Sequence, residues 1–285
     1  LIIKKLPLKN ISILSFQSNV SAIILSKLFN LRIIIRLNTS TDKYINNFIK
    51  RFFFKKIYSM SDMVIVNSLE FKKNLHKILK INSIQIFNPI KDKDFNKKIR
   101  IDYFKNFNGI KILSIGRLTD QKDQITIFKC LNILKNKGIN FRFYLIGEGY
   151  KLNMLKQYVK DQKLSKNVKF AGYKSNAFKY IQSADLFVLS SKYEGLPNVL
   201  IEAQSLNVPI ISSDCSTGPK EILLQGKLGY LFKVGNYLSM SKLIIDFSKD
   251  KKKFLYKAKL AKKYLYRFSY EKNLSKYYNI INKIL

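Results

Sequence analysis

Acidic residues are scarce in this chain. Its 285 residues hold 18 aspartates and glutamates against 53 lysines and arginines, a formal net charge of +35. Arginine is itself the minority cation, confined to Arg32, Arg36, Arg51, Arg100, Arg117, Arg142 and Arg267. An A+T-rich genome, which favours Lys, Asn and Ile codons, accounts for such a bias. The functional alternative is a surface drawn to anionic membrane or to phosphate-bearing substrates. Nucleic acid binding is a third reading, but no zinc-finger spacing, RNP-type motif or arginine-rich helix supports it.

Histidine and cysteine are nearly absent. The single histidine, His76, sits in Phe71-Lys-Lys-Asn-Leu-His-Lys, a lysine-rich helical run in which a solvated side chain is expected. Cys130 and Cys215 have no paired or metal-like spacing, which excludes a disulfide framework and fits two free thiols in a reducing cytosol. There is no G-x-S-x-G, no P-loop, no H-E-x-x-H and no Cys/His metal cluster. Long apolar runs are missing as well. A membrane span needs about 18 such residues, and the longest candidate, 11–29, is broken by Gln17, Ser18, Asn19 and Lys27. Leu1-Ile-Ile-Lys-Lys is not a signal peptide, and the chain is expected to begin inside a longer protein.

What is present is ample material for globular cores, 47% hydrophobic residues in a length that suits one large domain or two ordinary ones. Short apolar runs alternate with amphipathic stretches. Strands are expected at 11–16, 31–37, 63–67 and 84–87, with helices at 20–29, 43–60 and 68–79 between them. The polar turn 38–42 is positioned to cap the second of these helices. Asn88-Pro89 interrupts the pattern, and residues 90–109, charged and without period, read as a linker. A second alternation starts at 111–115 and continues with strands at 141–146, 168–171, 186–189, 209–211 and 230–232. This is a second α/β unit with crossover helices. From Asp250 the chain reads as wholly helical, with Leu274, Tyr277, Tyr278, Ile281 and Ile284 forming an apolar stripe.

One stretch stands out: Ser190-Ser-Lys-Tyr-Glu-Gly-Leu-Pro-Asn-Val-Leu-Ile-Glu202. Asp185-Leu-Phe-Val-Leu189 before it is a buried strand, Gly195 supplies a turn, and Pro197 sits where a helix begins and no N–H is needed. Val199, Leu200, Ala203 and Leu206 give that helix an apolar face. Glu194 therefore lies in a strand-to-helix turn, and Asn198 and Glu202 share one face of the helix. Helix-start amides receive phosphate. On spacing alone two readings stand: two solvated glutamates on an ordinary strand–turn–helix, or the two ends of a sugar-nucleotide site. Four more loops fall at the same carboxyl edge. Gly116 lets backbone approach a ligand, beside the cations Arg117 and Lys122. Gly147-Glu-Gly149 is a tight turn but not G-x-G-x-x-G. Gly172-Tyr-Lys174 reads either as a plain turn or as an edge for a nucleobase, with Tyr173 stacked nearby. Asp214-Cys-Ser-Thr-Gly-Pro-Lys-Glu221 brings Gly218 before a short helix. Ligands of open α/β sheets bind at that edge.

Gly116-Arg117…Lys122, Gly147-Glu-Gly149, Glu194-(seven residues)-Glu202 and Ser213-Asp…Gly218-Pro-Lys-Glu221, in this order across 111–232, resemble the donor-site signature of retaining glycosyltransferases of family 4. The resemblance implies an α/β protein of GT-B fold, two Rossmann-like domains with a cleft between them. Residues 1–92 would be the acceptor-side domain, truncated at its N-terminus. Residues 93–249 would bind the donor, and helices in 250–285 would cross back to the first domain. It implies that Arg117 and Lys122 neutralise the donor pyrophosphate without metal or other cofactor. Glu194 would face the donor sugar and Glu202 the ribose hydroxyls. Gly195, Leu196 and Pro197 would belong to the donor-binding set, the amides of Asn198 and Val199 would meet phosphate, and backbone around Tyr173 and Lys174 would read the base. Retention would need no protein nucleophile. Within the family, the block is similar to bacterial enzymes of surface-polysaccharide and lipid-linked oligosaccharide assembly, which implies a UDP-sugar donor, a glycan or lipid-linked acceptor and a cytoplasmic site, at the inner face of the plasma membrane. The family's glycine-rich first loop and acceptor-side histidine have no match here, so a catalytically incomplete nucleotide-sugar-binding fragment or partner subunit is the alternative. Phe48-Ile-Lys-Arg-Phe-Phe-Phe-Lys-Lys56 is either a lipid-docking segment or a helix that packs Phe52–Phe54 inward.

Overall fold

The computed structural model describes residues 11–39, 45, 47–90, 103–104 and 107–284. It divides into two compact units, Leu1–Lys91 with Arg267–Leu285, and Asp92–Tyr266. The boundary expected at 92/93 falls outside the described residues.

In the first unit the order is β1 (Ser12–Ser15), α1 (Asn19–Leu28), β2 (Arg32–Leu37), α2 (Phe48–Ser59), β3 (Met63–Val66), α3 (Leu69–Leu79) and β4 (Ile84–Gln85). All four strands are parallel, in the order β1-β2-β3-β4. Parallel neighbours require crossovers, and helices supply them. Successive side chains of a strand face opposite sides, and β2 shows this directly. Ile33 and Ile35 join Ile23, Phe71, Leu75 and Leu79 on the side of α1–α3. Ile34 points the other way, to Ile65, Ile86, Tyr277 and Ile280. The last two belong to α11 (Tyr270–Ile284), which covers the second face of this sheet. The helix expected at 43–60 begins at Phe48, its cap being Asn47, whose side chain accepts from the Lys50 amide at 2.8 Å. The first residues of that expectation, and part of the 38–42 turn, lie outside the described residues.

The second unit runs β5 (Ile110–Ile115), α4 (Gln124–Asn136), β6 (Phe141–Ile146), α5 (Leu152–Asp161), β7 (Val168–Gly172), α6 (Phe178–Gln182), β8 (Leu186–Leu189), α7 (Asn198–Ser205), β9 (Ile210–Ser213), α8 (Pro219–Ile222), β10 (Tyr230–Phe232), α9 (Tyr237–Lys249) and α10 (Lys251–Lys263). Its six parallel strands are ordered β10-β9-β8-β5-β6-β7. The chain therefore builds outward from β5 through β6 to β7, then returns to the other side of β5 with β8. Between β5 and β8 the direction of winding reverses, which opens a crevice at the carboxyl ends of the strands. Ile112, Phe143, Leu145, Leu186, Val188 and Ile211 are core residues packed with α4, α5 and α9.

Three expectations change. The chain after 250 does not leave as one piece, because α10 stays in the second unit and only Arg267 onward joins the first. The buried stripe of α11 is Asn273, Tyr277 and Ile280; Leu274 and Tyr278 are exposed. Asn273 occupies the inner position because its amide group donates to the carbonyls of Arg267 and Ser269, both at 2.9 Å, and so ties the helix start to the preceding turn. The 90–109 stretch is not uniformly a linker. Phe104 is fully buried and stacks on Tyr144 at 4.3 Å, its carbonyl accepting from Arg142 at 2.8 Å, and Tyr103 stacks on Tyr180 at 4.0 Å. Truncating a linker side chain changes stability by less than about 0.5 kcal/mol, whereas emptying a buried aromatic site costs about 3–5 kcal/mol. Phe104→Ala is expected to show the larger loss in chemical denaturation.

Candidate functional site

The loops that follow β5 and β8 flank the crevice, and polar side chains tie them together. Ser190 donates through its hydroxyl to the carbonyls of Lys122 and Asp123, at 2.8 and 2.9 Å. Gln121 donates to the Tyr193 carbonyl at 2.9 Å, and the Lys192 amide donates to the Gln121 carbonyl at 2.8 Å. At the centre lies Glu194, only 6% exposed. Its Oε1 accepts from Lys122 Nζ at 2.5 Å and from the Ser191 hydroxyl at 2.6 Å. The Thr217 hydroxyl, from the loop after β9, donates to the Glu194 carbonyl. Ser213 at the end of β9 donates to the Ser191 carbonyl at 2.7 Å. The solvated-glutamate reading thus fails at Glu194: a carboxylate this buried is held by a cation and a hydroxyl. Lys122 is correspondingly part of a pair, while Arg117 is exposed and, among the described residues, has no side-chain partner.

Two glycines allow the loops to close on one another. A Cβ at Gly147, where φ is +134°, would sit 2.0 Å from the Gly116 carbonyl oxygen. One at Gly218, where φ is +85°, would sit 2.2 Å from the Gly195 carbonyl oxygen and 2.7 Å from Pro197 Cδ. Within the chain it is Gly147 rather than Gly116 that the packing restricts to glycine, since a Cβ on Gly116 would only touch the Lys122 stem at 3.4 Å. Gly149 likewise abuts the loop after β5, where a Cβ would sit 2.4 Å from the Leu118 carbonyl oxygen. Backbone hydrogen bonds complete the weave: the Gly116 amide to the Ile146 carbonyl, the Leu118 amide to Glu148, and the Gly147 amide to Gly172.

α7 starts at Asn198, after Pro197 in extended conformation, and no side chain caps it. First-turn amides have no acceptor within their own helix, so this end is suited to an anion. Gly195, Leu196 and Pro197 are buried, Asn198 is exposed and Val199 half-buried. One to two turns on, Glu202 is half-buried, and its carboxylate has no hydrogen-bond or ion-pair partner among the described residues. Burial alone raises its pKa above 4.5. Tyr173 and Lys174 are exposed at the far end of the edge, and the Tyr173 amide donates to Glu148 Oε1 at 3.2 Å, so that backbone donor is already engaged. Cys215, beside the Glu194 turn, is buried, and its thiol is pushed up to about 12 by desolvation and by Glu194, which makes it no nucleophile at neutral pH. Ser191 and Thr217 are the residues that sequence reasoning misses, and Ser213, part of the motif, is not tied to Ser191 by it. Their one signal is small hydroxyl side chains at the carboxyl ends of two adjacent strands.

The two glutamates consequently differ in kind: Glu194 is held in place and Glu202 is poised. The folded-state pKa of Glu202 is raised, so the chain prefers it protonated and loses that preference as pH rises through the raised value. Glu202→Gln removes the cost of the buried charge. Its stability relative to the parent, measured by denaturant unfolding, is expected to improve as pH rises from 4.5 through that value and then level off. A Glu202 whose carboxylate was held by a cation or by hydrogen-bond donors would give the opposite sign.

Residues 95–276 match the family of glycosyl transferases group 1. An uncharacterised glycosyltransferase of Methanocaldococcus jannaschii is 34% identical over 181 residues, 60% of this chain and 44% of that protein. The N-acetylgalactosamine-N,N'-diacetylbacillosaminyl-diphospho-undecaprenol 4-alpha-N-acetylgalactosaminyltransferase of Campylobacter jejuni is 26% identical over 223 residues, 75% of this chain and 59% of that protein. The chain thus spans about half the length of the relatives it matches. Among solved structures, HepE of Anabaena in complex with UDP superposes with a TM-score of 0.81 at 17% identity, over 93% of this chain and 76% of the other. Sucrose-phosphate synthase of Thermosynechococcus elongatus does so with a TM-score of 0.84 at 17% identity, over 95% and 73%. These likenesses fix the fold as that of the GT-B glycosyltransferases. By its matched sequence, the chain belongs to the group 1 glycosyl transferases.

Proposed function

We propose that this chain binds a nucleotide-sugar, a UDP-sugar in preference to others, in the β5/β8 crevice and transfers the sugar with retention to a glycan or lipid-linked glycan in cell-surface polysaccharide assembly. The observation that carries the reading is the division of charge across that crevice. Arg117 is an exposed cation on one loop, the uncapped start of α7 stands on the other, and the half-buried carboxylate of Glu202 follows on the same helix. A diphosphate suits the first two, and a diol suits the third as an acceptor of two hydroxyl protons. The UDP complex of HepE and the names of the bacterial relatives support the donor and the pathway.

In this reading the bond from the sugar's anomeric carbon to the diphosphate oxygen breaks, and the electron pair leaves with UDP. Arg117, Lys122 and the amides of Asn198 and Val199 stabilise that developing charge, the task a metal ion performs in other transferases. The acceptor hydroxyl oxygen bonds to the same face of the short-lived oxocarbenium ion, and its proton passes to the departing phosphate. Glu194 then serves the donor sugar through its second oxygen while Lys122 and Ser191 hold the first. The backbone near Tyr173 and Lys174 meets the base through groups other than the Tyr173 amide. The acceptor belongs to the first unit, where the ends of β1 and β2 border a cavity of about 460 Å³ near Ser18, Arg36 and Asn38. Reaction at the cytoplasmic leaflet fits a UDP-sugar supply and a lipid-linked acceptor.

The alternative is donor binding without turnover, since the groups assigned to the donor all lie in the second unit. Calorimetry with UDP and a radiolabelled UDP-sugar transfer assay separate the readings. UDP is expected to bind with or without chelator. Lys122→Met is expected to weaken it by about tenfold or more, in line with the roughly 1.5–3 kcal/mol of a charge-assisted contact. UDP binding with no transfer selects the alternative, and no UDP binding overturns both.

A further inference from the structure

α2 is apolar on two opposite sides. One side turns Phe54, Ile57 and the buried Tyr58 into the core of the first unit. The other leaves Phe48 82%, Ile49 77%, Phe52 63% and Phe53 48% exposed. Inward packing of Phe52–Phe54 therefore holds for Phe54 alone. α1 rests on the same core through Ile23 and adds Leu25 and Leu28 to the outside, 53% and 74% exposed. Apolar side chains gathered like this on a monomer surface mark an interaction site.

The charge around them identifies the partner. α1 and α2 contain no acidic residue, and Lys50, Arg51, Lys55 and Lys56 interleave with the exposed phenylalanines. α3, the third helix of the same layer, carries Glu70 as its one acid. Its Lys72, Lys73, Lys77 and the adjoining Lys80 rim a cavity of about 590 Å³. A second copy of this chain would set cations against cations across a two-fold axis. A nucleic-acid duplex would satisfy the lysines and leave the phenylalanines in water, and a single strand, whose bases stack on rings, would still leave Ile49, Leu25 and Leu28 uncovered. An anionic bilayer satisfies both, with rings at the acyl boundary and ammonium groups among the phosphates. We propose that the outer face of the α1–α2–α3 layer is a docking surface for an anionic lipid membrane.

The chain has no tryptophan, so Phe52→Trp reports on this face alone. With vesicles of phosphatidylcholine containing about one-third phosphatidylglycerol, its emission is expected to shift to the blue, and the shift is expected to fade as salt shortens the Debye length from about 10 Å. Phosphatidylcholine alone is expected to bind at least about tenfold more weakly. Phe48→Ser with Phe53→Ser, and separately Lys55→Glu with Lys56→Glu, are each expected to reduce sedimentation with anionic vesicles by about tenfold. Unchanged melting temperature and UDP affinity of these exposed-face variants verify that they fold. Equal binding to both vesicle types, no binding to either, or a blue shift that tracks protein concentration without lipid would each overturn the proposal, the last in favour of self-association. Because this readout needs no nucleotide, it stands or falls apart from the donor site.

Discussion

A carboxylate at 6% exposure in a strand-to-helix turn has given up most of its contact with water, and Glu194 replaces it with hydrogen bonds from Lys122 at 2.5 Å and Ser191 at 2.6 Å. This joint connects the loops on either side of the point where the second sheet reverses its winding. Removing one partner of such a pair leaves a buried charge, a loss of about 3–5 kcal/mol. The other side-chain links across the crevice, from Ser190 and Gln121, are neutral and individually weaker. The joint therefore fixes where the loop after β5 lies against the start of α7. It also sets the chemistry, since it fixes Lys122 at the crevice with N–H donors to spare while leaving Arg117 exposed to meet an incoming anion.

Much of this arrangement is legible in the chain. Five of the six strands of the second unit are short apolar runs closed by a glycine or small polar residues, and the helices between them follow with the period of buried residues. Because parallel strands put all their carboxyl ends on one edge, finding the five loops in sequence is enough to bring them to one side of the sheet. What local pattern cannot supply is the partner. Lys122 and Glu194 are 72 positions apart, and nothing in either neighbourhood names the other. The same limit applies to the glycines. Gly116 and Gly147 look alike in sequence, but only Gly147 has a carbonyl oxygen where its Cβ would be. In α11 the apolar pattern runs through Leu274, whereas the helix turns Asn273 inward because its amide closes two hydrogen bonds. Phe104 is illegible for another reason: a lone aromatic between charged residues carries no period, although its ring completes a stack in the second unit.

The two units divide the chemistry. The second has its polar groups converging on one sheet edge. The first directs its charge outward, with cations and aromatic rings sharing the helices of one layer. An excess of lysine from codon bias would scatter evenly; on α2 it accompanies exposed phenylalanines, a placement that composition does not explain. The proposed membrane docking and the proposed donor binding are separable, because they are assigned to different units and draw on different residues.

The central claim is that the β5/β8 crevice receives a nucleoside diphosphate. It is tested most directly by following backbone amide resonances during a titration with UDP. The account predicts that the amides of Arg117, Asn198 and Val199 move first and furthest, with Glu202 following and the first unit unaffected. Perturbations that spare the start of α7, or that gather in the first unit, would contradict it.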